Sequence, residues 1–335
     1  MISDELFLKI VRTAIKSPSG HNTQPWLFVK TEDGICIKPD YKRELPVADP
    51  LHRELFISLG CAAETAMIAA RFYGYKPTMQ THTLSKDIQI KISLKKDDNI
   101  GKPELFSFIA TRQTTRNLFD KNSIPDHDLE VLKASVTEPG IQVQFFIGQN
   151  VIEPYKPFIA EANAIQMKHQ AFKKELIQWM RFSEKEAMEK GDGLYTACSG
   201  IPSMGRFLGR LVLKNFVNAK SENKRLLKQL DHSAAVVLLT STNDHAEDWI
   251  NTGMAFQRFA LTATKLNLSH SFLNSPCQTE TIREKMVSGL GLVDVIPQLI
   301  IRMGYSGKMP YSLRKNIYHC VQSFQNKQSW QTFLT

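Results

Sequence analysis

The segment Pro18-Ser-Gly-His-Asn-Thr-Gln-Pro-Trp26 concentrates residues that could do chemistry. Pro18 and Pro25 stiffen its ends. Gly20 admits backbone conformations and close approaches that a side chain forbids. His21, Asn22, Thr23 and Gln24 can each donate and accept hydrogen bonds, His21 in its neutral form. A stiff loop of this kind, closed by Trp26, suits a flat heterocycle with polar edges. A capped turn between a helix and a strand would use many of the same residues. A second segment places Arg112 and Arg116 four residues apart, with Thr114 between them. Guanidinium forks beside hydroxyls are what a phosphate needs, although a basic surface turn has the same composition. No residue stands out as a catalytic acid or base. His21 is a candidate hydrogen-bond donor, a pattern that a structural histidine matches as well.

The elements that would position these residues follow from periodicity. Leu6, Phe7, Ile10, Val11, Ala14 and Ile15 have helix spacing, with Ser3 or Asp4 as N-cap and Pro18 beyond the end. Residues 24–30 and 34–38 read as a hairpin around Glu32-Asp33-Gly34. Asp49-Pro50 resembles a helix start. The helix from about Arg53 to Tyr73 is rich in Gly and Ala and apolar nearly all round, so it should be buried on several sides. Residues 76–83 and 88–94 alternate like paired strands. Residues 103–110 read as a short helix, 128–136 as a helix, 141–147 as a strand and 160–190 as a long helical region. Residues 191–205 are punctuated by Gly and Pro, as a lid or a plain connection would be. Residues 234–240 and 297–303 read as strands. Residues 269–274 are extended, and Ser275-Pro276 reads as a turn. The run from Trp249 to Asn267 echoes that from Ile57 to Gly74: Gly253 stands 193 residues after Gly60, which sets Ala255 on Ala62 and Gln257 on Glu64. Two small-faced helices at equivalent positions suggest duplication and a shared core.

Composition bounds the rest. A chain of 335 residues, 42% apolar and 22% charged, can bury a substantial core. The net charge of +9 favours anionic partners without saying which. Residues 214–228 are Lys/Arg-rich but interrupted, and read as a solvated helix face. Five scattered cysteines lack metal-ligand spacing and suit a reducing, cytoplasmic setting. The most apolar stretch, 55–73, contains Glu64 and Arg71 and is a poor membrane span. The expectation is a small-molecule substrate, no metal, no nucleic acid and no membrane partner.

The nonapeptide resembles the Pro-Ser-x-x-Asn-x-Gln-Pro-Trp loop of the FMN-dependent nitroreductase family. With Ala48-Asp49-Pro50, Arg53-Glu54-Leu55 and the small-residue helix after them, the chain is similar to the Acg-type branch, in which one chain carries two nitroreductase-like halves. The similarity runs from about Leu6 to Tyr318 and is weakest across residues 151–221. It implies an α+β, nitroreductase-like fold with halves at 1–101 and 102–335, the latter carrying the segment 191–205, packed as an internal pseudo-dimer. It further implies FMN bound by Pro18, Ser19, Gly20, His21, Asn22 and Gln24 from one half. From the other would come Arg112, Thr114 and Arg116 at the phosphate, Asn274, Ser275 and Pro276 near the ring, and Arg314 and Lys315 at the C-terminal basic element. Neither half has both the loop and the phosphate element, so one FMN per chain is expected. The implied activity is electron transfer from NAD(P)H to nitro, quinone or similar acceptors. A protein that stores FMN under a lid is the alternative, and a nucleic-acid-binding protein a more remote one.

Overall fold

A computed structural model describes residues 2–84, 87–216 and 218–322. Helix α1 (Asp4–Ala14) starts at Ser3, whose hydroxyl accepts from the Leu6 amide at 3.1 Å. Strands β1 (Trp26–Lys30) and β2 (Gly34–Pro39) form the expected hairpin. Helix α2 (Arg53–Phe72) follows a left-handed His52 with no cap of its own. The Asp49 carboxylate serves instead, accepting from the amides of Glu54 at 3.0 Å and Leu55 at 2.8 Å. Strands β3 (Tyr75–Leu84) and β4 (Asp87–Lys96) complete an antiparallel sheet of order β1-β2-β4-β3.

The same plan then recurs. Helix α3 (Asp126–Ala134) precedes β5 (Ile141–Ile147). An inserted block follows: α4 (Gln149–Ile152), α5 (Lys156–Lys168), α6 (Gln170–Trp179), β6 (Met180–Arg181), α7 (Glu184–Lys190), β7 (Leu194–Tyr195), α8 (Arg206–Phe216) and α9 (Ala219–Asp231). Strand β8 (Ala235–Ser241), helix α10 (Ala246–Lys265), strand β9 (Ser269–Phe272), helices α11 (Ser275–Gln278) and α12 (Glu280–Gly289), and strand β10 (Ile296–Gly304) complete it. The second sheet has order β5-β8-β10-β9, so its pairing repeats that of the first strand for strand. Each central helix joins the second and third strands of its sheet.

Two expectations need correction and a third gains detail. The long helical region expected over 160–190 is three helices rather than one, broken where His169 turns extended and where β6 leaves the helix to pair with β7. The Arg181–Asp192 ion pair at 2.5 Å ties that break to residues 191–194. Ser275-Pro276 is the first turn of α11, because the Asn274 carbonyl accepts from the Cys277 and Gln278 amides. The short helix expected over 103–110 is present as a 3-10 helix, Glu104–Phe108.

The duplication is explicit where α2 meets α10. Helix α10 begins and ends 193 residues after α2, the offset read from the sequence. Gly74 and Asn267, which terminate equivalent helices, both take positive φ, at 83° and 58°. The contact is reciprocal. A Cβ on Gly60 would lie 2.0 Å from the Ile250 carbonyl oxygen, and one on Gly253 would lie 2.0 Å from that of Ile57. Ile57 and Ile250 are themselves an equivalent pair, so the two helices cross about an internal twofold axis at their glycines. The two modules thus form a pseudo-dimer around buried central helices. The C-terminal stretch returns to the first sheet, where the Phe28 amide donates to the Cys320 carbonyl and the Gln322 amide to the Phe28 carbonyl.

Candidate functional site

A cleft of about 230 Å³ opens beside this helix crossing, and both modules line it. The first module contributes residues 18–22 and one face of α2: Glu54, Ile57, Ser58 and Cys61. The second contributes Arg112, Gln113, Thr114, Arg116, Phe256 of α10, Phe272, Asn274, Gln278 and Leu299. Leu194 of the inserted block and residues 310–312 and 314 close the remaining side.

Of the residues singled out in the sequence, Pro18, Ser19, Gly20, His21, Asn22, Arg112, Thr114, Arg116, Asn274 and Arg314 meet in this cleft. Four stand outside its lining. Gln24 is fully buried; its amide donates to the Gly191 carbonyl at 2.8 Å and accepts from the Lys315 amide at 2.9 Å. Lys315 is buried beside it. Ser275 and Pro276 belong to α11, whose Gln278 reaches the cleft instead. Sequence reasoning missed the α2 face. Glu54, Ser58 and Cys61 follow helical spacing, but nothing in a buried helix distinguishes a cleft-facing stripe from a core-facing one.

The loop is held under strain. His21, Asn22 and Gln24 all take positive φ, at 45°, 54° and 55°, which costs side-chain-bearing residues energy and persists only where neighbours impose it. The neighbours here are distant in sequence. The Asn22 amide donates to the Gly193 carbonyl at 3.1 Å and the Leu313 carbonyl at 3.0 Å, and its oxygen accepts from Arg314 at 3.1 Å. Asp192 accepts from both Arg43 and Arg181. One end of the 191–205 segment is thereby fastened to the loop, while residues 201–203 and 205 are exposed.

Residues 112–116 are equally fixed through their backbone. The Thr115 amide donates to the His270 carbonyl at 2.9 Å, extending the second sheet past β9. Buried Arg302 donates to the Thr115 and Asn117 carbonyls, and Gln229 to that of Arg116 at 2.6 Å. Gln113 clasps the backbone of Met309 as both donor and acceptor. This leaves the guanidinium groups of Arg112 and Arg116 unspent. Arg112 is 6% exposed, and its Nε and Nη1 are buried without partners. Burial lowers its pKa to about 10 and that of Arg314 to about 9, and also lowers that of Arg116; all three stay charged at neutral pH. Among the described residues no carboxylate pairs with any of the three. Arg314 spends its Nη atoms on Asn22 and three backbone carbonyls, but its Nε is unpartnered. A desolvated cluster of cations without counter-charge is built for an anion. Glu54, whose carboxylate accepts from Asn274 at 2.5 Å and Gln278 at 2.8 Å, is the one acid in the lining.

The twofold-related position differs. Glu247 and Asn251, the counterparts of Glu54 and Ser58, line a shallow, open groove with residues 79–82 of β3, and no Lys or Arg lines it. The Thr81 hydroxyl donates to Glu247 at 3.0 Å across it.

Two histidines make stability depend on pH. Burial lowers the pKa of His21 to about 4, against the opposing pull of Glu54, and that of His270 to about 3. Unfolded, both titrate near 6.5. Between these values the unfolded chain binds protons that the fold refuses, so stability is full above that range and falls as pH drops. At pH 5 the loss is about 2 kcal/mol per histidine. Asp49 acts oppositely: burial and then Glu54 raise its pKa to about 6, which returns about 1 kcal/mol at pH 5. Urea midpoints at pH 7.5 and pH 5 will show the net loss, and His270→Gln will remove about half of the histidine contribution.

No family model matches the chain. Over 315 residues it is 22% identical to "Putative NAD(P)H nitroreductase Rv3131" of Mycobacterium tuberculosis, covering 89% of this chain and 84% of the relative. Over 320 residues it is 22% identical to "Putative NAD(P)H nitroreductase acg" of the same organism, covering 92% of each. Among solved structures it is similar to the FMN-dependent nitroreductase NfnB from Mycobacterium smegmatis in complex with NADPH, with a TM-score of 0.40 and 14% identity over 65% of this chain and 96% of that one. A nitroreductase-like protein from Bacillus cereus aligns with a TM-score of 0.41 and 13% identity over 68% of this chain and 98% of that one.

Proposed function

We propose, for a chain that belongs to the nitroreductase family in its Acg-type branch, that it is an FMN-dependent NAD(P)H oxidoreductase holding one flavin between its two modules. The observation that carries this reading is Arg112, a buried guanidinium in the cleft wall with two nitrogens left unpartnered. Its chemistry fits a phosphate, and the apolar faces of Ile57, Phe256, Phe272 and Leu299 in the same cleft fit a planar ring. The reductant is the one that the relatives' names carry.

Arg112 and Arg116 hold the phosphate, with the Thr114 hydroxyl beside them. Asn22 and Arg314 keep the loop in its strained conformation. His21, neutral at pH 7, offers its unpartnered Nδ1 to the polar edge of the ring. When bound, FMN supplies hydride acceptance at N5 and transfer of electrons to nitro, quinone or similar electron-poor acceptors. The division into halves at 1–101 and 102–335 belongs to the same proposal.

Stopped-flow absorbance tests it. Bound flavin is expected to bleach with NADH or NADPH and to recover its colour with a nitroaromatic or quinone. Flavin that binds and never bleaches leaves the storage reading. A protein that takes up no FMN overturns both.

A further inference from the structure

We infer that α8 is a docking surface for anionic lipid, and that the protein works at a membrane surface. Helix α8 rests on the rest of the protein along one side only. Gly209 is buried there, with its backbone against the Phe182 ring, and Val212 and Leu213 are half-buried on the same side. The other side presents Phe207 at 84% exposure and Leu208 at 52%, with Ile201 exposed in the turn just before. A phenylalanine so open has no role in the core, and it stands in a group rather than singly.

Cations run along one edge of this apolar strip. Arg206, Arg210 and Lys214 recur every four residues along α8, and all three are exposed. Arg206 pairs with Glu186; among the described residues Arg210 and Lys214 have no ion pair. In the next helix Lys220, Lys224 and Lys228 repeat the spacing, again exposed. An exposed apolar strip edged by Arg and Lys on a short helix is the chemistry of a segment lying in the headgroup region of an anionic bilayer. A second copy of the chain fits poorly, because a twofold contact through this strip would set these cations against themselves. Helix α8 has 11 residues, too few to cross a bilayer, so it lies along the surface. This departs from the expectation of no membrane partner, which rested on the lack of a spanning segment. The inference stands apart from the flavin reading, since none of these residues lines the cleft.

The test is sedimentation of the full chain with vesicles of phosphatidylcholine alone or mixed with phosphatidylglycerol. Binding to the mixed vesicles, weakened by added salt and reduced about tenfold or more by Phe207→Glu, is expected. Arg210→Glu should weaken it as well. Phe207→Glu should leave the circular dichroism spectrum and flavin bleaching unchanged. No preference for the anionic vesicles overturns the proposal, as does equal binding by Phe207→Glu. A concentration-dependent dimer that Phe207→Glu abolishes also overturns it, by assigning the strip to a second copy.

Discussion

Arg112→Met will weaken FMN binding by roughly 1.5–3 kcal/mol, about ten- to a hundredfold in Kd, the range for hydrogen bonds to a charged group. The same substitution should leave the FMN-free protein as stable as before or more so. That pairing of effects follows from the site. Two of the three guanidinium nitrogens of Arg112 are buried without partners, so the free protein carries the desolvation cost of a charge that only a ligand relieves. A structural arginine would behave the other way, losing stability first. Arg116→Ala should weaken binding by a similar factor, and the double variant by less than the product, because both cations would hold one phosphate. Fluorescence titration of the stripped protein with FMN measures the affinities, and urea denaturation of the FMN-free form measures the stability. Unchanged FMN affinity in both single variants would put the phosphate elsewhere.

Gly253→Val is expected to cost several kcal/mol of stability, beyond the roughly 1–3 kcal/mol typical of overpacking. Even the first added carbon would sit 2.0 Å from the Ile57 carbonyl oxygen, and backbone in a helix cannot swing aside as a side chain can. Gly60→Val should do the same from the other side of the axis, against Ile250. Both should also impair FMN binding, because the displaced helices carry Glu54, Ile57 and Ser58 on one wall and Phe256 on another. Gly101→Ala is the control: no atom lies within 4 Å of its added carbon, and its stability should be unaltered. Thermal denaturation of the three variants ranks them, and a Gly253→Val protein as stable as the parent would remove the tight crossing from the account.

Much of this arrangement was legible in the sequence, for local reasons. The loop of residues 18–26 and the Arg112–Arg116 spacing present the right chemistry, although composition alone fits a capped turn and a basic surface turn as well, and the resemblance to a known loop is what singled them out. The central helices declared themselves through small residues and a constant offset, which the fold repeats in helix ends, terminating positive φ values and reciprocal glycine contacts. What stayed hidden depends on contacts between distant parts of the chain. Asn22 and Gln24 read as ligand-facing amides, yet their polar atoms are taken up by Gly191, Gly193, Leu313, Arg314 and Lys315. Nothing local distinguishes an amide that meets a ligand from one that ties loops together. Glu54 and Ser58 were hidden for the converse reason, as ordinary members of a buried helix. Within residues 160–190, read as a long helical region, the break at Arg181 went unseen because it is set by an ion pair to Asp192 rather than by a proline or glycine at that point.

The most direct test of two modules sharing a single prosthetic group is the amount of FMN released per chain when protein saturated with the flavin is denatured. One FMN per chain is the expected result, since the twofold-related groove beside Glu247 and Asn251 has no Lys or Arg in its lining. Two per chain would mean that the second groove binds as well, and none after saturation would mean that the Arg112 cleft was built for something else.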